Sequence, residues 1–344
     1  MEIELTQRQG AILRRVVEEY VATGAPVGSK NLVERSGLEV SPSTVRNELA
    51  ELEALGLLTH PHTSAGRVPT ERGYRYFVDR LLERLEPRPP TFPLDLGDAR
   101  SELEAALQST TDMLSQLTRL LALVSAPPIE SATIRRVEVL LLQPQVVMAV
   151  LITSTGSVTK RLFSFDAPVD PGLADWAGVY LNEQLAGVRF GSRVLRQRLD
   201  DPDLSPVERS FLDILQTALT QPVSEEQRVF VGGAAGLLDD VSAEELRAYR
   251  GLLELLEQRR SLLDVVAVAL DAGRRPFVRV GDELGNPALQ ELSLVGATYG
   301  IAHRTLGAVS LFGPLRMDYE KAIRSVRSAA SELSRFSEEV YEDD

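Results

Sequence analysis

Ser43, Thr44, Arg46 and Asn47 lie within five positions of one another in "GLEVSPSTVRNELAELEALGLL", residues 37–58. These side-chain types suit the reading of base edges. An arginine can pair with guanine O6 and N7, and an asparagine with adenine N6 and N7. A serine or threonine hydroxyl can bond a base or a phosphate, and a threonine methyl can touch thymine. Such a set needs a helix that enters a major groove by its N-terminal end.

The segment has the signals for that helix. Ser41 suits the N-cap and Pro42 the first helical position. Val45, Leu49, Leu52 and Leu55 follow as an apolar stripe. Ser43, Thr44, Arg46 and Asn47 fall off the stripe, in the first two turns. On this stretch alone, a DNA-reading helix and a capped surface helix both fit.

Its surroundings favour the first. Residues 6–23 are expected to be helical, with Thr6 and Gln9 at capping-box spacing and Ile12, Leu13, Val16, Val17 and Tyr20 on one face. "TGAPVGS" breaks that helix, and a second short one runs from Ser29 to Arg35. Lys30 and Arg35 on it are candidates for contacts to the DNA backbone. After the central helix, "LLTH" reads as a strand and "PHTSAGRV" as a tight loop. Thr70 caps a further helix with Tyr74, Phe77, Val78, Leu81, Leu82 and Leu85 along one side. Helix, short helix, helix, hairpin is the order of a winged helix-turn-helix. His62, Ser64 and Arg67 sit in the wing, where Arg67 suits a minor groove or a phosphate. The DNA-contact set is therefore Lys30, Ser43, Thr44, Arg46, Asn47, His62, Ser64 and Arg67.

The rest of the chain is set off by a Pro-rich linker, "EPRPPTFP". Leu96, Leu103, Leu107, Leu114, Leu117, Leu121 and Val124 then predict one long helix, ended by "APP". Strands are expected in "VEVLLLQ", "VVMAVLITS" and "SVTKRLFSF". Helices are expected over 173–186, 205–220 and 242–270. Strands return in "FVRVG", "LSLVGATYG" and "LGAVSLFG". A closing helix after Pro314 carries Ile323, Val326, Ala330, Leu333, Phe336 and Val340. Strands on both sides of a helical block suggest an α/β domain with a helical insertion.

The net charge of −13 argues at first against nucleic acid. Residues 1–80, however, hold 10 basic and 11 acidic side chains, so nearly all the excess lies in the remaining chain. An acidic body repelled by phosphate keeps the near-neutral module facing DNA; simple solubility is the plainer explanation of the same charge.

Other chemistry finds little footing. With no cysteine there is no disulfide, thiolate zinc site or cysteine nucleophile. His60 and His62 have strand-alternate spacing, but the third histidine, His303, is distant, so no metal site is expected. "GGAAG" at 232–236 is neither a phosphate loop nor a dinucleotide fingerprint, and no G-x-S-x-G elbow occurs. Asp239-Asp240 and Asp343-Asp344 lie in polar stretches and read as solvated pairs. No cofactor and no enzymatic activity are expected. No apolar run reaches the roughly 18 residues of a membrane span, and the N-terminus lacks signal-peptide features, so a cytoplasmic protein is expected.

The chain resembles the HrcA family of bacterial heat-inducible transcription repressors. Residues 17–79 carry the resemblance most strongly, with "VGSK", "SPSTVRNE" and "HTSAGRVPT". "RVGDELGNPALQELSLVGATYG" and "GAVSLFGPLRMDY", within 279–319, form a second block, and "VFVGGAAGLLDD" a weaker third. The family usually has "IGxEN" where this chain has "VGDELGN", residues 280–286.

The resemblance implies a multidomain α+β protein. Residues 1–86 would be the winged-helix domain and 87–95 the linker. Residues 96–172 and 272–344 would form a GAF-like α/β domain, with a mostly helical dimerisation domain, 173–271, inserted in it. It further implies a homodimer on an inverted-repeat operator, CIRCE, upstream of chaperone operons. A GroEL-type chaperonin would keep the repressor active. The alternative is a small-molecule-responsive winged-helix regulator with a ligand pocket in the GAF-like domain. A packed apolar interior there would count against it.

Overall fold

The computed structural model describes residues 4–36, 41–61, 66–86, 88–94, 103–127, 132–154, 158–190, 192–220, 229–233, 249, 252, 276–301 and 304–342. The chain begins with α1 (Gln7–Thr23), α2 (Ser29–Ser36) and α3 (Pro42–Ala54). A two-stranded wing follows, β1 (Leu58–Thr59) with β2 (Val68–Pro69), and then α4 (Glu71–Glu83). The capping signals act as expected. Thr6 and Gln9 exchange both hydrogen bonds of a capping box, 3.2 and 3.0 Å. Thr70 Oγ1 accepts the Gly73 N–H at 3.1 Å and donates to the Gly56 carbonyl at 2.7 Å. Each cap satisfies an N–H that the first helical turn leaves without an acceptor.

A five-stranded antiparallel sheet forms the centre of the body. It contains β3 (Leu121–Ser125), β7 (Val229–Gly232), β8 (Phe277–Val280), β9 (Leu292–Ile301) and β10 (Arg304–Pro314), in the order β7-β3-β10-β9-β8. Helices α5 (Leu103–Thr118) and α9 (Tyr319–Glu342) cover one face. Tyr249 and Leu252 pack on the other, against Leu121, Leu123, Phe277 and Phe312.

β3 corrects the long helix expected through Val124. The helix stops at Thr118, Arg119 takes a positive φ of 58°, and "LALVS" becomes a strand buried at every position. A short apolar run buried on both sides carries no alternation, so periodicity alone cannot separate it from helix.

Between β3 and β7, which are neighbours in the sheet, the chain makes a separate unit. Its strands β4 (Ile134–Gln143), β5 (Val146–Thr153) and β6 (Val158–Ser164) form a three-stranded antiparallel sheet. Helices α6 (Pro171–Leu185), α7 (Arg193–Leu199) and α8 (Pro206–Thr220) share its core, which includes Val137, Val147, Leu151, Leu181, Leu195 and Leu215. The division expected at residue 172 therefore cuts through one core. Strands assigned to the larger domain belong with the insertion. Conversely β7, Tyr249 and Leu252, assigned to the insertion, pack with the five-stranded sheet. The alternation of a strand shows which face is buried but not which sheet it joins.

One face of the small sheet has no cover among the described residues. Leu140, Met148 and Leu162 stand side by side on it, as do Ile152 and Val158, and Leu162 is 66% exposed.

Candidate nucleic-acid interface

Ser41 lies in extended conformation, φ −71° and ψ 152°, with Pro42 opening α3. Its Oγ accepts the Thr44 N–H at 3.2 Å, and it stands 2.7 Å from Ser43 Oγ and 2.9 Å from Thr44 Oγ1. One cap thus fixes where the helix starts and gathers the two following hydroxyls around it. Ser41→Ala is expected to lower stability by about 1 kcal/mol, the usual cost of losing an N-cap. A denaturant midpoint unchanged within error would show that the cap is dispensable.

Val45, Leu49 and Leu52 are buried, as the stripe requires. Leu55 is not; it is 39% exposed at the C-cap, where the helix has already ended. Glu48 is the buried side chain that periodicity missed, and it forms an ion pair with Arg8 of α1. Gln9 Nε2 donates to Glu51 Oε2 at 2.7 Å, a second tie between the same helices. These contacts bridge some 40 positions in sequence, so no local pattern announces them.

Against that fixed inner face, Ser43, Arg46 and Asn47 are exposed and Thr44 half-buried. Arg46 and Asn47 form no side-chain hydrogen bond or ion pair among the described residues. Lys30, in the first turn of α2, is also exposed. The structure thus brings Ser43, Thr44, Arg46 and Asn47 together at one helix end. His62 and Ser64 lie outside the described residues, as does the side chain of Arg35.

Arg67 departs from the expected free contact. Its backbone bridges Val27 in both directions, at 2.8 and 2.9 Å, tying the wing to the entry of α2. Its guanidinium turns inward, with Nη2 2.7 Å from Glu53 Oε2, while Glu53 Oε1 meets His60 Nδ1. One carboxylate on α3 thereby holds both stems of the wing. Arg67 is a strut at the wing base, because Glu53 offers a closer partner than solvent. Glu53 is the positioning residue that sequence reasoning missed; two basic side chains flanking the wing were the available hint. No cluster of three or more potential metal ligands occurs among the described residues. No helix among them is long and apolar enough to cross a membrane.

Residues 4–80, which hold this whole arrangement, match the family model for the winged helix-turn-helix transcription repressor, HrcA DNA-binding. Residues 104–323 match the HrcA protein C terminal domain. The chain belongs to the HrcA family. It is 39% identical over 338 residues to the heat-inducible transcription repressor HrcA of a Nocardioides species, covering 97% of this chain and 99% of that one. Identity to the HrcA repressor of Streptomyces avermitilis is 38% over 337 residues, covering 95% and 97%. Among solved structures, the crystal structure of a hypothetical protein is similar, with a TM-score of 0.63, 25% identity and 98% of each chain covered. Within the HrcA family match, the winged-helix segment contains every candidate DNA contact.

Proposed function

We propose that this protein is a negative regulator of transcription that binds an inverted-repeat operator of the CIRCE type as a homodimer. Through it, heat-shock chaperone operons are held silent in the cytoplasm. The observation that carries the reading is the start of α3. Ser41 and Pro42 fix it, and Ser43, Arg46 and Asn47 stand exposed beside it. The last two have no partner among the described residues. Ser43 or Thr44 anchors phosphate, Arg46 reads guanine, Asn47 reads adenine and Lys30 adds a backbone contact. His62 and Ser64 add contacts from the wing, which Arg67 braces at its base. The protein performs no reaction of its own.

A twofold operator calls for a twofold protein. The bare face of β4–β6 supports dimerisation through the inserted unit. Leu140 and Leu142 on β4 and Val158 and Leu162 on β6 are exposed, with Met148 of the intervening β5 between Leu140 and Leu162, the kind of apolar patch that marks an interface. The five-stranded sheet with its two covering helices supports the GAF-like assignment for the larger domain. A GroEL-type chaperonin keeps the repressor competent, and its diversion to unfolded clients on heating releases the operon.

The ligand-responsive alternative has weaker support. Apolar side chains fill both faces of the five-stranded sheet among the described residues. A groove of about 400 Å3 beside α9 is open to solvent. In it, Arg327 donates to the Glu86 carbonyl, Ser334 Oγ accepts the Gly300 N–H and Tyr299 donates to the Ser125 carbonyl.

In-vitro transcription from a promoter carrying the inverted repeat tests the function. Repression is expected with the protein and chaperonin present, and relief when an unfolded client is added. Repression that ignores the client would remove the chaperonin from the account.

A further inference from the structure

The stretch 278–283, which runs into "VGDELGN", lies against the winged helix. A single 3-10 turn, Gly281–Leu284, follows β8. Glu283 Oε2 accepts the Val280 N–H at 3.0 Å and so folds the turn on itself. The same carboxylate oxygen receives Arg75 Nη1 of α4 at 3.1 Å, and Nη1 also donates to the Val278 carbonyl at 2.8 Å. Arg75 Nη2 is held by Asp79, one turn along α4, at 2.6 Å. In return, Glu71 at the start of α4 accepts the Asp282 N–H at 2.7 Å.

Gly281 suits this joint as a side chain would not, since an added Cβ would push the Glu71 carboxylate aside. Its φ is +53°, which disfavours any side chain, and a Cβ there would lie 2.6 and 2.8 Å from the two Glu71 carboxylate oxygens. Burial pushes the Glu71 carboxyl above its ordinary pKa; the Asp282 N–H opposes that, and the neighbouring Asp282 and Glu283 carboxylates add to it. Three carboxylates crowded at one joint repel one another, and the geometry is held by the hydrogen bonds that Glu71 and Glu283 accept. Beneath them a continuous apolar core runs from Val16 and Val78 of the winged helix to Val278, Val280 and Tyr319 of the body. Tyr74 and Tyr319 meet across it with ring centres 5.8 Å apart.

We propose that Arg75, Glu71 and Gly281 form a clasp that sets the orientation of the winged helix on the body, and so the spacing between the two recognition helices of the dimer. They are positioning residues: none lies among the base-reading side chains of α3. The proposal rests on the dimeric operator reading. Two heads held rigidly bind a correctly spaced pair of half-sites far better than a lone one, and lose that advantage when the geometry is wrong.

The test measures binding of the full-length protein to a half-site duplex and to inverted repeats whose spacer is lengthened or shortened base pair by base pair. Wild type, Arg75→Ala and Gly281→Ala are compared, the two variants breaking the clasp from opposite sides. Wild type is expected to show a sharp spacing optimum. Both variants are expected to bind the optimal repeat about tenfold or more weakly, to tolerate other spacings, and to keep wild-type affinity for the half-site. Variants with the wild-type spacing profile would overturn the clasp. Equal losses on half-site and full site would also overturn it, since the residues would then only support the winged-helix fold. A wild type without any preference for the repeat over the half-site would instead sink the dimeric reading, and the clasp with it.

Discussion

Leu162→Asp is expected to leave a folded monomer that binds an inverted-repeat operator roughly two to four orders of magnitude more weakly, the scale of avidity lost when two linked sites are separated. Leu162 is 66% exposed on the outer face of β6, so the protein's own core does not depend on it. An exposed substitution of this kind usually moves stability by less than about 0.5 kcal/mol. In a dimer built through this face the position becomes buried. A carboxylate there has no partner and would oppose association strongly. Leu140 and Met148, in register beside it, would be uncovered in the same step. Analytical ultracentrifugation across a concentration series reads the result. Val179→Asp on α6 is the control, because Val179 is 61% exposed on a different element. A Leu162→Asp protein that keeps the dimer mass would rule out the sheet face, and dissociation by Val179→Asp instead would place the interface on the helices.

Arg46→Ala is expected to weaken operator binding by about 1–3 kcal/mol per half-site, the usual value of a bidentate contact to guanine. A dimer presents two copies, so the total approaches about 2–6 kcal/mol, roughly thirtyfold to ten-thousandfold. Binding to random duplex should fall far less, and the melting temperature should not move, since Arg46 is exposed and unpaired among the described residues. Asn47→Ala should relax selectivity at one A·T pair per half-site. Equal losses on operator and random DNA would make Arg46 a phosphate contact. If neither affinity changes, α3 does not enter the groove in this way.

Much of the recognition module is legible in the sequence because its signals are local. Thr6 with Gln9, Ser41 with Pro42, and Thr70 each mark a helix start within three residues, and all three helices begin where those signals stand. The stripe Val45, Leu49, Leu52 follows from the helical period. What was hidden depends on partners far along the chain. Glu48 is buried on α3 because Arg8 reaches it from α1. Arg67 turns inward because Glu53 waits on the neighbouring helix. Leu55 looks like the next member of the stripe, but the helix ends before it can be used. The body shows the same division. The long closing helix, with Ile323, Val326, Ala330, Leu333 and Phe336 buried, is readable from its spacing. β3 is not, since a strand buried on both faces has no alternation. Nor can composition show that β4–β6 leave the larger sheet, because pairing partners are chosen in three dimensions.

Everything proposed for the protein depends on the N-terminal end of α3 reading a specific operator. The most direct test is the affinity of the wild-type protein for a CIRCE duplex and for a scrambled duplex of equal length, measured over a range of salt concentrations. Binding to the operator is expected to be at least about a thousandfold tighter at physiological salt, within the range usual for specific recognition. The preference should persist as salt weakens the phosphate contacts common to both. Equal affinities with the same salt slope would mean that the protein only meets the DNA backbone and that α3 reads no base.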